Sequence, residues 1–456
     1  MYSQRKHKDC YLPLALLAVL SIGLFPGQLL AQSPNREKPK LKDFGSSLRK
    51  LKWDPVKNEV RENDTSSSKT GSDDDVIRID TSLVACDLLV TDRQGRPIRN
   101  LKASDFAITE DGAPQQVGHF FLGDNVNLPR SIVLIIDYSR SQFPYIRESV
   151  EAAKVFVDKL GPRDRMAIVT DDVELLVGFT NDKRDLKKRL DSLVEKNIGS
   201  KGFLGLGDKR PNFGSSAQYS ALLATLKEAF DDEDERPIIV FQTDGDELEY
   251  LRNSIIVPSV PEGLPPALRV EVQEEVEERL KLQRAGVTEF SLEDLHRAIE
   301  KSRATIYTII PGVRLLGFPR EEQLKRLQAD DEKTIRTWLE ASPPKVREAY
   351  VGNLEQRKQK LIPQILEATL DEELKVQSTL SEVSKMSGGW AEFLETGSQA
   401  TQIYSRIFAD LNERYIVGYY PTNKERDGKR HRISIEVKGH PEYEIVSRKW
   451  YYAPKE

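Results

Sequence analysis

Asp137-Tyr-Ser139-Arg-Ser141 places a carboxylate and two hydroxyls on alternate residues, directly after five aliphatic side chains in a row, Ile132 to Ile136. A mostly β-branched run of this kind suits a central parallel strand covered on both faces, where alternation is not required. In open α/β sheets, ligands bind beyond the carboxyl ends of the strands. One carboxylate and two neutral hydroxyls at such an end suit a hard cation and leave positions for further oxygen ligands. Pro237-Ile-Ile-Val-Phe-Gln-Thr243 reads as a second buried strand and ends in Asp244-Gly-Asp246. Between the two, Gly214-Ser215-Ser216-Ala217 opens a helix-like segment reaching Phe230, which brings another hydroxyl to a helix N-terminus. Asp137, Ser139 and Ser141 are therefore candidate oxygen ligands, with further ones offered by the Gly214–Ala217 segment and by Asp244-Gly-Asp246. Taken singly, Asp137 or Ser139 would also serve as the N-cap of the helix that follows.

Positioning these residues requires a sheet, and the surrounding chain supplies the pattern for one. Ile146, Val150, Ala153, Val157 and Leu160 form one helical face that Gly161-Pro162 ends. Strands are expected at 164–170, 174–180 and 305–310, and helices at 181–196 and 291–301, the latter opened by Ser291 as cap with Asp294 near N3. After Gln377 come a helix to Met386, a strand over 388–394 and a helix over 398–412. Alternation of strand and helix predicts a doubly wound, mostly parallel α/β sheet. Asp171 and Asp172 also end a strand, but they lie outside the motif and read as solvated turn residues.

Shorter alternating strands flank this body. Residues 83–91, 106–109 and 116–121, separated by turns at Asp92-Arg-Gln-Gly95 and Glu110-Asp111-Gly112, form an antiparallel unit. Arg414-Tyr-Ile-Val-Gly-Tyr-Tyr-Pro421, Asp427-Gly428 and His431–Val437 are expected to pair with residues 76 to 121 in one small β domain, with their aromatics in its core. Cys86 reads as a small core residue of that domain.

Asp137-x-Ser139-x-Ser141, the hydroxyl at Ser216 and Thr243-Asp244-Gly245 together resemble the metal-ion-dependent adhesion site of von Willebrand factor A domains. The chain is most similar to bacterial, acidobacterial-type proteins described as VWFA-related. In that family the middle element usually reads Gly-Gly-Thr-Ala-Leu-Tyr, and here it reads Gly214-Ser215-Ser216-Ala217-Gln218-Tyr219. Serine keeps the oxygen and loses the methyl that orients it. The stretch from Val90 to Gly112 and the terminal Trp450-Tyr-Tyr-Ala-Pro resemble the β segments of the same family. The resemblance implies a Rossmann-like sheet of von Willebrand factor A type and a bound Mg²⁺, or Mn²⁺ or Ca²⁺ in its place, with Asp244 and Asp137 acting through water. It also implies an unknown protein ligand whose acidic side chain completes the metal shell.

The resulting organisation is a signal peptide at 1–31, a linker at 32–75, an N-terminal β unit at 76–125, an A domain at 128–412 and a C-terminal β element at 413–456. Charged helical insertions fall at about 258–290 and 313–375 within the A domain. Arg5, Lys6, His7 and Lys8 precede an apolar stretch from Leu12 to Leu24, followed by Gly27 to Ala31, which is the tripartite pattern of an export signal. That apolar stretch is short of the roughly 20 residues a membrane span needs, so no span is expected after signal cleavage, with an uncleaved anchor as the alternative. The expected location is exported: periplasmic, cell-surface or extracellular.

A net charge of -5 with 31% charged residues gives no reason to expect nucleic acid as partner. Two cysteines, one of them within the signal segment, leave no internal disulfide in the mature chain. The glycine-rich stretch 199–210 lacks the Gly-Lys-Ser/Thr ending of a phosphate loop. Among His7, His119, His296, His431 and His440, none stands in a recognisable triad context, so a non-enzymatic role is expected over a hydrolase. A metal-free scaffold binding through its helical insertions is the remaining alternative.

Overall fold

Alternation sets the strand Val84–Thr91: Val84, Cys86, Leu88 and Val90 are buried, while Ala85, Asp87 and Leu89 between them are partly exposed. The computed structural model describes residues 53–54, 59–60, 83–124, 129–198, 216–230, 236–264, 266–285, 288–341 and 362–454. The signal segment, nearly all of the linker, residues 76–82 of the expected N-terminal β unit and the glycine-rich stretch 199–210 lie outside them. Strands β1 (Val84–Thr91), β2 (Phe106–Glu110), β3 (Ala113–Gln115) and β4 (Val117–Leu122) come from the N-terminal segment. Strands β11 (Tyr415–Tyr419), β12 (Arg430–Val437), β13 (Glu444–Val446) and β14 (Trp450–Tyr452) come from the C-terminal one.

The two segments interleave as the sequence predicts. One antiparallel sheet has the order β13-β1-β11-β4 and the other β14-β12-β2-β3. Cys86, Leu88, Phe106, Ile108, Val417 and Ile433 share one core across both sheets, and the Phe106 and Tyr415 rings meet edge-on at 5.5 Å. Tyr420 departs from the expected aromatic core: it is 41% exposed.

The central body contains β5 (Arg130–Ile136), α1 (Ile146–Asp158), β6 (Arg165–Thr170), β7 (Leu175–Thr180), α2 (Lys183–Ile198) and α3 (Gln218–Glu228). It continues through β8 (Arg236–Gln242), α4 (Pro266–Ala285), α5 (Leu292–Lys301) and β9 (Thr305–Pro311). It closes with α6 (Arg320–Ala341), α7 (Ile362–Met386), β10 (Ala391–Leu394) and α8 (Ala400–Glu413). The six-stranded sheet has the order β10-β9-β8-β5-β6-β7, parallel except for the edge strand β7. Val133 and Ile135 pack on one face with Leu222 and Phe241, while Ile132, Leu134 and Ile136 pack on the other with α1 and α8. Both faces of β5 are therefore covered, which is why its sequence shows no alternation.

Chain order reverses beside β5. From β5 the chain moves outward through β6 and β7, then returns to β8 on the other side and moves outward again. Ile136 is in register with Gln242, so Asp137 and Thr243-Asp244 emerge side by side at the topological switch point.

The helical segments differ from the expected insertions in one respect. Helix α7 runs unbroken from Ile362 to Met386, across the expected boundary at 375. Its second half is part of the body: Leu380 and Val383 belong to the main core, and Ser384 Oγ lies 2.6 Å from Thr308 Oγ1 on β9. Among the described residues, no helix is long and apolar enough to cross a membrane.

Gly388, with φ +86°, ends α7, and Gly389 lets the chain turn onto β10. A Cβ on Gly389 would lie 1.9 Å from the Ile306 carbonyl oxygen, a backbone atom that cannot swing aside. Gly389→Ala is expected to destabilise the chain by about 1–3 kcal/mol, the usual range for overpacking, read as a lower urea midpoint with an unchanged slope.

Candidate metal centre

Asp137 ends β5, and its amide donates to the Gln242 carbonyl of β8 at 3.0 Å. The Ser139 amide donates to Asp137 Oδ1 at 2.9 Å, a turn that brings both serine hydroxyls back over the strand end. Ser139 Oγ and Ser141 Oγ are 2.9 Å apart, and Ser141 Oγ is 3.5 Å from Asp246 Oδ2. Thr243 Oγ1 donates to Asp137 Oδ2 at 2.9 Å and accepts from the Gly245 amide. Gly245 sits at φ +80°, so the Asp244-Gly-Asp246 turn needs a residue without a Cβ there. Its consequence is that Asp137, Asp244 and Asp246 each present an oxygen within 4.8 Å of the other two.

The structure thus brings together four of the five predicted residues, Asp137, Ser139, Ser141 and Asp244. It adds Asp246, visible in the sequence as the second carboxylate of the Asp-Gly-Asp turn. Ser216 is held differently. Its amide donates to Asp171 Oδ2 at 2.9 Å, and it adopts φ +54°, where a β-branched residue would be strained. Among the described residues, no hydrogen bond joins the Ser216 hydroxyl to the carboxylates.

Burial at the site corrects one expectation. Asp137 is 2% exposed: Ser139, Gln218 and Thr243 close around it. Asp171 is fully buried, not a solvated turn residue, because it accepts from the amides of both Tyr138 and Ser216. It fixes the backbone of two loops at the site.

Gln218 has no counterpart in the motif, since the family pattern has Leu in its place. Its Nε2 donates to Asp137 Oδ2 at 2.9 Å and to Asp246 Oδ1, while its Oε1 accepts from the Glu247 amide. Sequence offered no sign of this role, because Gln218 stands 81 residues from Asp137.

Electrostatics decides what this cluster can do. At such separations, and with an effective dielectric of about 20, each pair of ionised carboxylates repels by roughly 3 kcal/mol. Among the described residues, no Lys, Arg or His forms an ion pair with any of the three. Burial, and next the Asp244 carboxylate, pushes the Asp137 carboxyl up from 3.8 to about 7. Burial and the same neighbours hold Asp246 well above the usual carboxylate range. Proton binding or a divalent cation relieves this repulsion, and oxygen ligands at a rigid strand end fit the second. The motif, strand order and position at the switch point coincide.

The body has a von Willebrand factor A-type fold.

No protein-family model matches the chain, and no curated protein does. Solved structures similar to this A-type body include a von Willebrand factor type A protein from Catenulispora acidiphila, at 11% identity and a TM-score of 0.31, covering 78% of this chain and 74% of that one. BatB from Bacteroides thetaiotaomicron aligns at 13% identity and a TM-score of 0.30, covering 62% of this chain and 98% of its own. Manganese-loaded TRAP from Plasmodium vivax aligns at 9% identity and a TM-score of 0.26, covering 75% of this chain and 97% of its own. At these scores the likenesses carry no weight by themselves, and the A-type reading stands on strand order and motif.

Helices α6 and α7 cover one side of this A-type site. A cavity of about 130 Å³ is lined by Ser141, Gln142 and Asp244, by Asp330 from α6 and by Glu373 from α7. Tyr145 Oη donates to Asp330, and Lys333 Nζ sits 4.3 Å from the centre of the Tyr145 ring. Burial, then Asp244 and Asp330, pushes the Glu373 carboxyl up to about 8.

Proposed function

We propose that this is an exported, non-enzymatic interaction module that holds a divalent cation on Asp137, Ser139, Ser141 and Asp244, with Asp246 as a further carboxylate. Mg²⁺ is the first choice because carboxylates, hydroxyls and water suit a hard octahedral ion, and Mn²⁺ or Ca²⁺ can take its place. An acidic side chain of a protein partner would complete the shell. The observation that carries this reading is the convergence of three carboxylates and two serine hydroxyls at one buried strand end, without a basic partner among the described residues. A non-enzymatic role is supported by the imidazoles: among the described residues, none of His119, His296, His431 and His440 hydrogen-bonds a residue of the site, His119 contacting Tyr420 and His431 contacting Asp111 in the β domain.

Calorimetry on the purified chain tests the cation. Saturable Mg²⁺ or Mn²⁺ binding is expected in the wild type and its loss in Asp137→Ala, with far-ultraviolet circular dichroism showing both folded. Gln218 supports a second reading, a metal-free scaffold, because its amide already bridges Asp137 and Asp246 as a neutral donor. A folded wild type that binds neither ion would decide for the scaffold.

A further inference from the structure

The cavity beside the cluster is lined by four carboxylates, Asp244, Asp330, Asp331 and Glu373, and by no Lys, Arg or His. Gln142, on the same wall, is 1% exposed. Its Nε2 donates to Asp244 Oδ2 at 2.5 Å, and its Oε1 has no hydrogen-bond partner. An unmade hydrogen bond at a buried acceptor costs about 1–3 kcal/mol, so such atoms are found facing a donor. Glu373 makes no hydrogen bond among the described residues. Tyr145, one of the lining donors, gives its hydroxyl proton to Asp330, and Gln377 Nε2 gives its own to the Val313 carbonyl. The walls therefore present acceptors in excess of donors around a space of about 130 Å³, enough for roughly four waters at about 30 Å³ each.

Hydrated divalent cations supply what these walls lack. Mg²⁺ keeps several of its waters when protein bound, and each such water is a strong donor. Carboxylates and amide oxygens that accept from ligands of a metal tune its affinity by about 10–100-fold. Ser141 and Asp244 belong both to the cation site and to the cavity lining, so waters on an ion held there would face Glu373 and Gln142.

We propose that Glu373 and Gln142 hold the cation through its waters, so that the ion tightens the middle of α7 over the site. This rests on the cation-site reading above and deepens it. The open face of the ion is then satisfied by the chain's own carboxylate, and an acidic partner must compete with Glu373. Cation binding and the tightening of α7 become one linked equilibrium, each strengthening the other by the same factor. The remaining contacts of α7 are sufficient to hold it without the ion, since Gln377 caps the loop after β9 through the Leu315 amide and the Val313 carbonyl, and Arg320 ties α6 to Asp371.

Calorimetric titration with Mn²⁺ of the full chain, Glu373→Gln and Asp137→Ala tests this, together with hydrogen exchange of residues 365–380 with and without Mg²⁺. Expected are a roughly tenfold or greater loss of affinity in Glu373→Gln and Mg²⁺-dependent slowing of exchange over 365–380 in the wild type only. The exchange readout on the wild type does not depend on any variant folding. Unchanged affinity in Glu373→Gln, with exchange indifferent to Mg²⁺ while Asp137→Ala abolishes binding, would overturn this inference and leave the cation site standing. Binding in Asp137→Ala equal to wild type would remove the site and this inference together.

Discussion

Arg414→Ala is expected to lower the unfolding free energy by about 3–5 kcal/mol, the range for removing one partner of a buried ion pair. Arg414 is fully buried at the seam between the β domain and the A-type body. Its Nε donates to Asp410 Oδ2 at 2.9 Å, one Nη donates to the Gly388 carbonyl at 2.6 Å, and the other reaches the Asp87 carbonyl on β1 at 3.4 Å. Truncation would leave the Asp410 carboxylate with the Tyr307 hydroxyl alone and strand the Gly388 carbonyl in a dry place. Desolvation, not the lost Coulomb attraction, sets the size of the effect. A parallel seam contact, Arg236 with Asp87 at 2.7 and 2.9 Å and with the Leu411 carbonyl at 2.6 Å, survives the substitution. The two parts should therefore stay joined while the whole chain unfolds at lower urea. Arg414→Met keeps the stem and isolates the charge. A loss below about 1 kcal/mol in the alanine variant would show that water reaches the seam and that the pair is not truly buried.

The seam also shows where sequence reading ends. Strands and helices with strong periodicity were legible because their causes are local: the aliphatic run of β5, the alternation in β1, and the Ser291–Asp294 capping box, which forms as expected. The pairing of the two flanking segments into one β domain was legible through turn chemistry and resemblance. Asp137, Ser139, Ser141 and Asp244 were legible because two short motifs carry them. Asp171 was misread, since a strand-end carboxylate looks the same whether it meets water or two amides from loops 33 and 45 residues away. Gln218 was hidden because its partners lie beyond the ends of other strands, and nothing about a helix's first residue marks an inward glutamine. The insertion helices read only as charged segments, a pattern that by itself belongs to a surface. In the fold, part of that charge is spent inward, with Asp330 and Glu373 on the cavity and Arg279 between Glu249 and Glu372.

The same inward charge makes stability and cation binding depend on pH in opposite directions. Asp137 titrates at about 7 in the fold against an ordinary 3.8. A carboxyl whose folded value is raised stabilises the fold fully below its unfolded value, and that contribution is lost as pH rises through the folded one. Asp171 and Asp246 are shifted the same way, chiefly by burial. The cation-free chain is therefore expected to melt at a lower temperature near pH 8 than near pH 5. Cation binding runs the other way, because a metal takes up carboxylates and must displace their protons. Affinity should fall by up to about tenfold per pH unit below 7 for each proton displaced. Mg²⁺ at a hundred times its Kd adds about 2.7 kcal/mol, so the ion should raise the melting temperature strongly near pH 8 and weakly near pH 5. Asp137→Ala removes both the binding and much of the pH dependence of the cation-free chain. Scanning calorimetry in chelator and in Mg²⁺ at the two pH values checks all three expectations. An equal Mg²⁺ shift at both would mean that the ion, if bound, is not bound by buried carboxylates. A cation-free chain more stable near pH 8 would mean that the cluster is held by a basic group from outside the described residues, which would also leave no room for the metal.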